Sequence, residues 1–162
     1  MFYPSNPDEL FETIHGCFTH SLGPGRFPTR SSTHSTERVE CLVVPHAGYE
    51  YSGPVAAHSY EVAYNFLSDH KDNVTVLILG PNHHGIGSGL AISAAESWKT
   101  PMGKIEVSKE LRERLCESCA IIDVDDVAHL GEHSIEVSNE FSGSSSSSTS
   151  FVSKSSIVFF IC

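Results

Sequence analysis

Val74-Thr75-Val76-Leu77-Ile78-Leu79, closed by Gly80-Pro81, is the most strand-like stretch of the chain. Its residues are β-branched or aliphatic, and the glycine–proline pair stops the pattern. Working outward toward the N-terminus, Ser52 reads as an N-cap with Pro54 in the first turn. Ala56, Tyr60, Ala63 and Leu67 then recur on one helical face, which predicts a helix to about Ser68. Before it, Cys41–Val44 is a short apolar run ending in Pro45, the pattern of a buried strand. Strand, helix, strand is a βαβ unit. The fold class expected is therefore α/β: a sheet with a βαβ crossover and flanking helices.

Downstream, Leu90–Ser93, Lys104–Val107 and Ala120–Val124 read as further short strands. Ser108 caps a helix over Lys109–Glu117 with Leu111 and Leu115 on its apolar face. Upstream, Asn6-Pro7-Asp8-Glu9 combines an N-cap, a proline at the first helical position and first-turn acids. Leu10, Phe11, Ile14 and Phe18 follow at helical spacing, which predicts a helix over 7–17. Residues 21–37 read as a Gly/Pro/Ser/Thr loop. The serine run at 142–150 has almost nothing to bury, and Phe151–Cys162 has no turn or helix logic. The domain expected is 1–137, followed by a disordered Ser-rich tail over 138–162.

A chain of 162 residues suits one domain, and a hydrophobic fraction of 40% is ordinary for a globular protein. A formal net charge of −10 argues against nucleic acid or an anionic membrane as partner. No apolar run approaches the roughly 18 residues that span a bilayer. Five cysteines and no signal-peptide pattern point to a reducing, cytoplasmic setting.

In an open parallel sheet, ligands bind beyond the C-terminal ends of the strands. His46 lies just past the first strand of the expected βαβ unit, and His83-His84 just past the second, so both loops leave the sheet at the same edge. Pro45–Tyr49, Gly80–His84 and Glu132–Ser134 are therefore expected to line one pocket. Gly48, Gly53, Gly80 and Gly85 permit close approach, and Tyr49 and Tyr51 offer hydroxyls. Neutral imidazoles are common transition-metal ligands, and Glu132 could complete or orient such a shell beside His133. From spacing alone the pocket has no substrate.

Other chemical groups read more simply. Cys116-Glu117-Ser118-Cys119 has the spacing of a zinc or redox pair but lacks a second pair and ends a helix rather than starting one. Asp123, Asp125 and Asp126 fit a solvated turn, and Trp98 a packing residue. His129 is close enough in sequence to join the pocket and equally fits the surface, while His15, His20, His34 and His70 carry no positional argument.

Pro45-His46-Ala47-Gly48-Tyr49, Tyr51-Ser52-Gly53 and Ala56-Ala57-His58-Ser59-Tyr60 together resemble a signature of the Memo family, named for a mediator of receptor-tyrosine-kinase-driven cell motility. The resemblance continues through Leu79–His84, Trp98–Gly103 and Glu132–Glu136, with Phe2-Tyr3-Pro4 similar to the opening segment. It implies a fold similar to class III extradiol dioxygenases, and it maps His46 and His83 onto two metal-binding histidines. Iron or copper is the cofactor implied, and a phosphotyrosine peptide or signalling protein the partner. Phe2, Tyr49, Tyr51, His84, Glu132 and His133 are the pocket residues expected beside the two ligands. Family members are nearly twice this length, and their second half supplies another histidine and a cysteine ligand without counterpart here. After Val137 this chain departs into Ser138-Asn139-Glu140 and the serine run, so the fold expected is an incomplete one, as from a truncated isoform.

Four functional expectations follow. The first is a metal-holding protein of signalling or redox regulation in cell motility, and the second a metal-free phosphopeptide module. The third is a dioxygenase-like enzyme, for which this chain lacks a third ligand. The fourth is a truncated fragment without independent function.

Overall fold

The N-terminal helix forms where its sequence caps it. In the computed structural model, which describes residues 2–29, 39–69, 74–137 and the backbone of 156–161, α1 spans Pro7–Thr19. The Asn6 side chain accepts from the amides of Asp8 and Glu9, satisfying two donors that the first turn leaves open. Leu10, Ile14 and Phe18, one face at helical spacing, are fully buried. They pack on α2, Tyr49–Asp69, through Ala56, Ala57 and Tyr60.

α2 begins earlier than its sequence suggests. The Gly48 carbonyl accepts from the amides of Tyr51 and Ser52, so the first turn precedes Ser52. Ser52 is not the cap; its hydroxyl donates to the Ala47 carbonyl. Pro54 consequently lies inside the helix, where it has no amide to donate to the carbonyl one turn back.

β1, Thr75–Gly80, is the strand read first from the sequence. β2 (Ala91–Ile92), the hairpin β3 (Ser97–Thr100) and β4 (Gly103–Glu106), α3 (Lys109–Ser118) and β5 (Asp123–Val124) follow. The hydroxyl of Ser108 accepts from the Leu111 amide at the start of α3. The sheet order is β1-β6-β2-β5, where β6 is Ser156–Ile161. β6 runs parallel to β1 and antiparallel to β2, and β2 runs parallel to β5.

Two expectations change here. Cys41–Val44 forms no strand, and Val43 is 90% exposed. An apolar run becomes a strand only beside a ladder, and the ladder neighbour of β1 among the described residues is β6. The crossover expected through α2 is therefore not made. A βαβ-type connection occurs instead from β2 through α3 to β5, with Leu111, Leu115 and Cys116 packed on Ile92. The second change concerns the tail expected to be disordered over 138–162: Ser156–Ile161 lies in the sheet. Its run of Ile157, Val158, Phe159, Phe160 and Ile161 has strand propensity once β1 and β2 flank it. The serine run at 142–150 lies outside the described residues.

Candidate metal centre

Tyr49 ties the opening residues and the segment that follows Glu132-His133 to the start of α2. Its amide donates to the Phe2 carbonyl at 3.1 Å, and its buried hydroxyl donates to the Val137 carbonyl at 2.7 Å. Tyr3 stacks on the same ring and hydrogen-bonds to the Glu136 carboxylate. The first residues, the start of α2 and the helical turn 134–137 are thus tied at one point, with His46, Phe2 and His133 beside it.

A second clamp joins that turn to the end of β1. The Ser134 hydroxyl donates to the Pro81 carbonyl at 3.1 Å. Gly80 makes this approach possible, because a Cβ there would lie 2.5 Å from Ser134 Oγ. The loop that follows is braced by Asn82, whose side chain accepts from the Gly85 amide and donates to the Ile86 carbonyl. Gly85 takes the positive φ of 61° that the turn needs.

His83 leaves this loop with both ends of its ring defined. Its Nδ1 lies 2.8 Å from Glu132 Oε1, and its amide donates to Glu132 Oε2 at 2.7 Å. Glu132 Oε1 also accepts from the amides of His133 and Ser134 at 2.8 and 3.0 Å. Burial alone would push this carboxyl up, but the His83 ring and these main-chain amides outweigh it and hold it down at about 2. An ionised carboxylate only accepts, so His83 Nδ1 carries a proton toward it, and Nε2 is the nitrogen left to act as a ligand.

That Nε2 faces another. His46 Nε2 lies 3.3 Å from His83 Nε2. Two imidazole nitrogens bound at about 2.0–2.1 Å to a tetrahedral ion stand about 3.4 Å apart, so the separation matches that of two ligands of one metal. Burial, then the neighbouring His83 and His133, depress the His46 pKa, which favours the neutral ligand form; Glu132 opposes them.

His133 and Phe2 complete the wall. The Phe2 ring stacks on His133 at 4.0 Å between centroids, and His133 stacks on His83 at 4.7 Å. A nitrogen from each of His83 and His133 and an oxygen of Glu132 lie within 4.8 Å of one another, the density of a metal-binding cluster. Proximity and coordination differ here. The Glu132 oxygens already face four N–H donors, which would repel a cation, so Glu132 orients rather than ligates. The near-parallel His83 and His133 rings, 15° apart, direct their lone pairs along parallel planes rather than at one point.

The remaining sequence candidates stand apart. Tyr49 is structural, its hydroxyl committed to Val137. Tyr51 is 81% exposed. His84 turns outward, with Nε2 3.2 Å from the Gly131 carbonyl. His129 packs edge-on against Trp98, and burial depresses its pKa, partly offset by Asp126, Asp125 and Glu132. Asp125 and Asp126 serve as acceptors for the amides of Ser88, Val127 and Ala94, so the acidic cluster organises turns. Cys116 and Cys119 are free thiols. Sequence reasoning had no signal for Asn82 as a brace or for the Ser134 clamp beyond their places in the histidine motifs.

A family model described as a Memo-like protein matches residues 1–148. The chain belongs to the Memo family. It is 45% identical over 141 residues to the MEMO1 family protein MK0963 of Methanopyrus kandleri, covering 87% of this chain and 48% of that protein. Against the MEMO1 family protein MJ0403 of Methanocaldococcus jannaschii it is 46% identical over 142 residues, covering 87% and 47%. The chain thus spans about half the length of the curated Memo relatives it matches. The match takes in all three histidine segments of the site. Among the described residues, no helix is long and apolar enough to cross a membrane.

Proposed function

We propose that this chain holds one transition-metal ion, iron or copper, through His46 Nε2 and His83 Nε2, as a Memo-type centre of redox-linked signalling in cell motility. The observation that carries the metal reading is the 3.3 Å separation of the two Nε2 atoms, with Glu132 fixing the proton on the far nitrogen of His83. Neutral imidazoles suit iron, copper, zinc and nickel alike, so the preference for iron or copper rests on the family. The motility role rests on the same ground, as does a phosphotyrosine peptide or signalling protein as partner. A cytoplasmic setting accords with the free thiols of Cys17, Cys41, Cys116 and Cys119.

Titration of the metal-free protein with Fe(II), Cu(II) and Co(II), followed by calorimetry and by Co(II) absorption, tests the centre. One ion per chain is expected, with loss of binding in the His46→Ala/His83→Ala double variant. Undiminished stoichiometry in that variant removes the proposal.

A further inference from the structure

We infer that the turn over 127–131 is an acid-released catch: neutral His129, with its ring nitrogens buried, holds it closed against Trp98, and uptake of a proton by His129 opens it. The turn is built from short-range bonds. Val127 donates its amide to Asp125 Oδ1 at 2.8 Å, and the amides of His129 and Leu130 donate to the carbonyls of Asp126 and Val127, each at 3.1 Å. The His129 ring is thereby presented to the β3–β4 hairpin, where Trp98 meets it edge-on at 5.7 Å between centroids. Both ring nitrogens are buried, and among the described residues neither has a hydrogen-bond partner. A neutral imidazole is costly in that setting, and an imidazolium, with two donors and a charge, far more so.

The carboxylates of Asp126, Asp125 and Glu132 attract a proton to the ring, yet burial outweighs them and favours the neutral form. Each carboxylate is already engaged elsewhere. Asp125 accepts from the amides of Ser88 and Val127, and Asp126 from the Ser93 hydroxyl and the Ala94 amide. Glu132 is held by His83 and the amides of His133 and Ser134. On the hairpin, Glu96, Lys99, Lys104 and Glu106 are exposed, with Lys104 paired to Glu106. His84 meets the turn at the Gly131 carbonyl. Protonated His129 is therefore better placed in water beside Asp125 and Asp126 than in its closed position. Its ordinary value is 6.5 and the closed value is lower, so closure is fully present above 6.5 and is lost as the pH falls below it. The Glu132 amide donates to the His129 carbonyl at 3.3 Å, so opening loosens the residue that orients His83. That consequence rests on the proposed metal site; the catch itself needs no metal.

Trp98 is the one tryptophan of the chain, so its emission reports the catch. The full chain without metal is taken from about pH 7.5 to about pH 5.5, where opening with uptake of one proton rises roughly tenfold. A red shift of the Trp98 emission is expected, with a matching loss of amide protection at His129, Leu130 and Glu132 while α1 stays protected. The His129 ring, followed by NMR, is expected to titrate below 6.5 in step with the emission. His129→Phe keeps the bulk against Trp98 and takes no proton, so emission wavelength and protection are expected to stay constant. If that variant does not fold, the joint titration of His129 and Trp98 in the unmodified chain decides. An unchanged emission wavelength, or a red shift that survives in His129→Phe, overturns the inference. So does a His129 ring that titrates at or above 6.5, or a loss of protection that extends through α1.

Discussion

The helical layer and the sheet are made from comparably apolar sequence and end in different states. In the α1–α2 layer, Leu10, Ile14, Phe18 and Ala57 are all fully buried. In β1, residues of the same character alternate between packed Val76 and Ile78 and open Leu77 and Leu79. The helices meet partners within this chain, and the sheet has packing for one face of β1. Apolar sequence supplies the tendency to be buried; only a partner surface makes it stabilising. The proposed metal site lies on the boundary between the two, since Tyr49 and Val137 belong to the helical core and Gly80 and Pro81 to the end of β1.

The largest expected effect probes the closed side. Phe18→Ala removes a fully buried ring from the α1–α2 core and is expected to cost about 3–5 kcal/mol in urea unfolding. A cost near 1 kcal/mol would show the helical layer to be loosely packed, and the contrast would fail.

The boundary should answer to acid. Glu132 has its folded-state carboxyl at about 2 against an ordinary value of 4.5, a depressed case. Its contribution is fully present above about pH 4.5 and is lost as the pH falls toward 2, amounting to about 3 kcal/mol at 1.36 kcal/mol per pH unit. Glu132→Gln is expected to flatten that part of the stability–pH profile. It also places an amide donor against N–H groups and is expected to weaken metal binding 10–100-fold. A variant with unchanged affinity would show that Glu132 does not orient His83.

Gly80→Ala tests the clamp itself. The new methyl would lie 2.5 Å from Ser134 Oγ and 2.8 Å from Ile135 Cγ1, so the 132–134 segment must move away from β1. A loss of about 1–3 kcal/mol is expected, together with weaker metal binding, because Glu132 moves with Ser134. Stability lost without any change in affinity would uncouple the clamp from the site.

What the sequence disclosed divides along the same line. α1 and α3 were legible because their signals are local: Asn6-Pro7 and Ser108 cap their helices, and the apolar residues recur within a few turns. β1 was legible from its own composition. Cys41–Val44 and Ser156–Ile161 were misread in opposite directions, because strand formation depends on which distant segment offers a ladder. β6 was further masked by the serine run before it, though its five apolar residues have the propensity. At the site, His46 and His83 meet, but not for the reason the strand pattern gave: Cys41–Val44 is no strand, so His46 comes from the loop before α2 rather than from the end of a strand parallel to β1. The orienting role of Glu132 was not legible, since it depends on amides and a ring from two separate segments converging on one carboxylate.

The smallest effect is the sharpest test of the open face. Leu79 is the most exposed of the apolar β1 residues, and Leu79→Thr introduces a β-branched strand former while removing apolar surface. Little burial exists to be lost there, so the expected change is under about 1 kcal/mol, several times less than for Phe18→Ala. Self-association measured by light scattering at high protein concentration should fall, because the exposed apolar area shrinks. A loss of 3 kcal/mol would mean that this chain already covers Leu79, and the two layers would then be packed alike. The pair of variants thus measures the asymmetry as a difference between an apolar group lost from a buried face and one lost from an exposed face of one molecule.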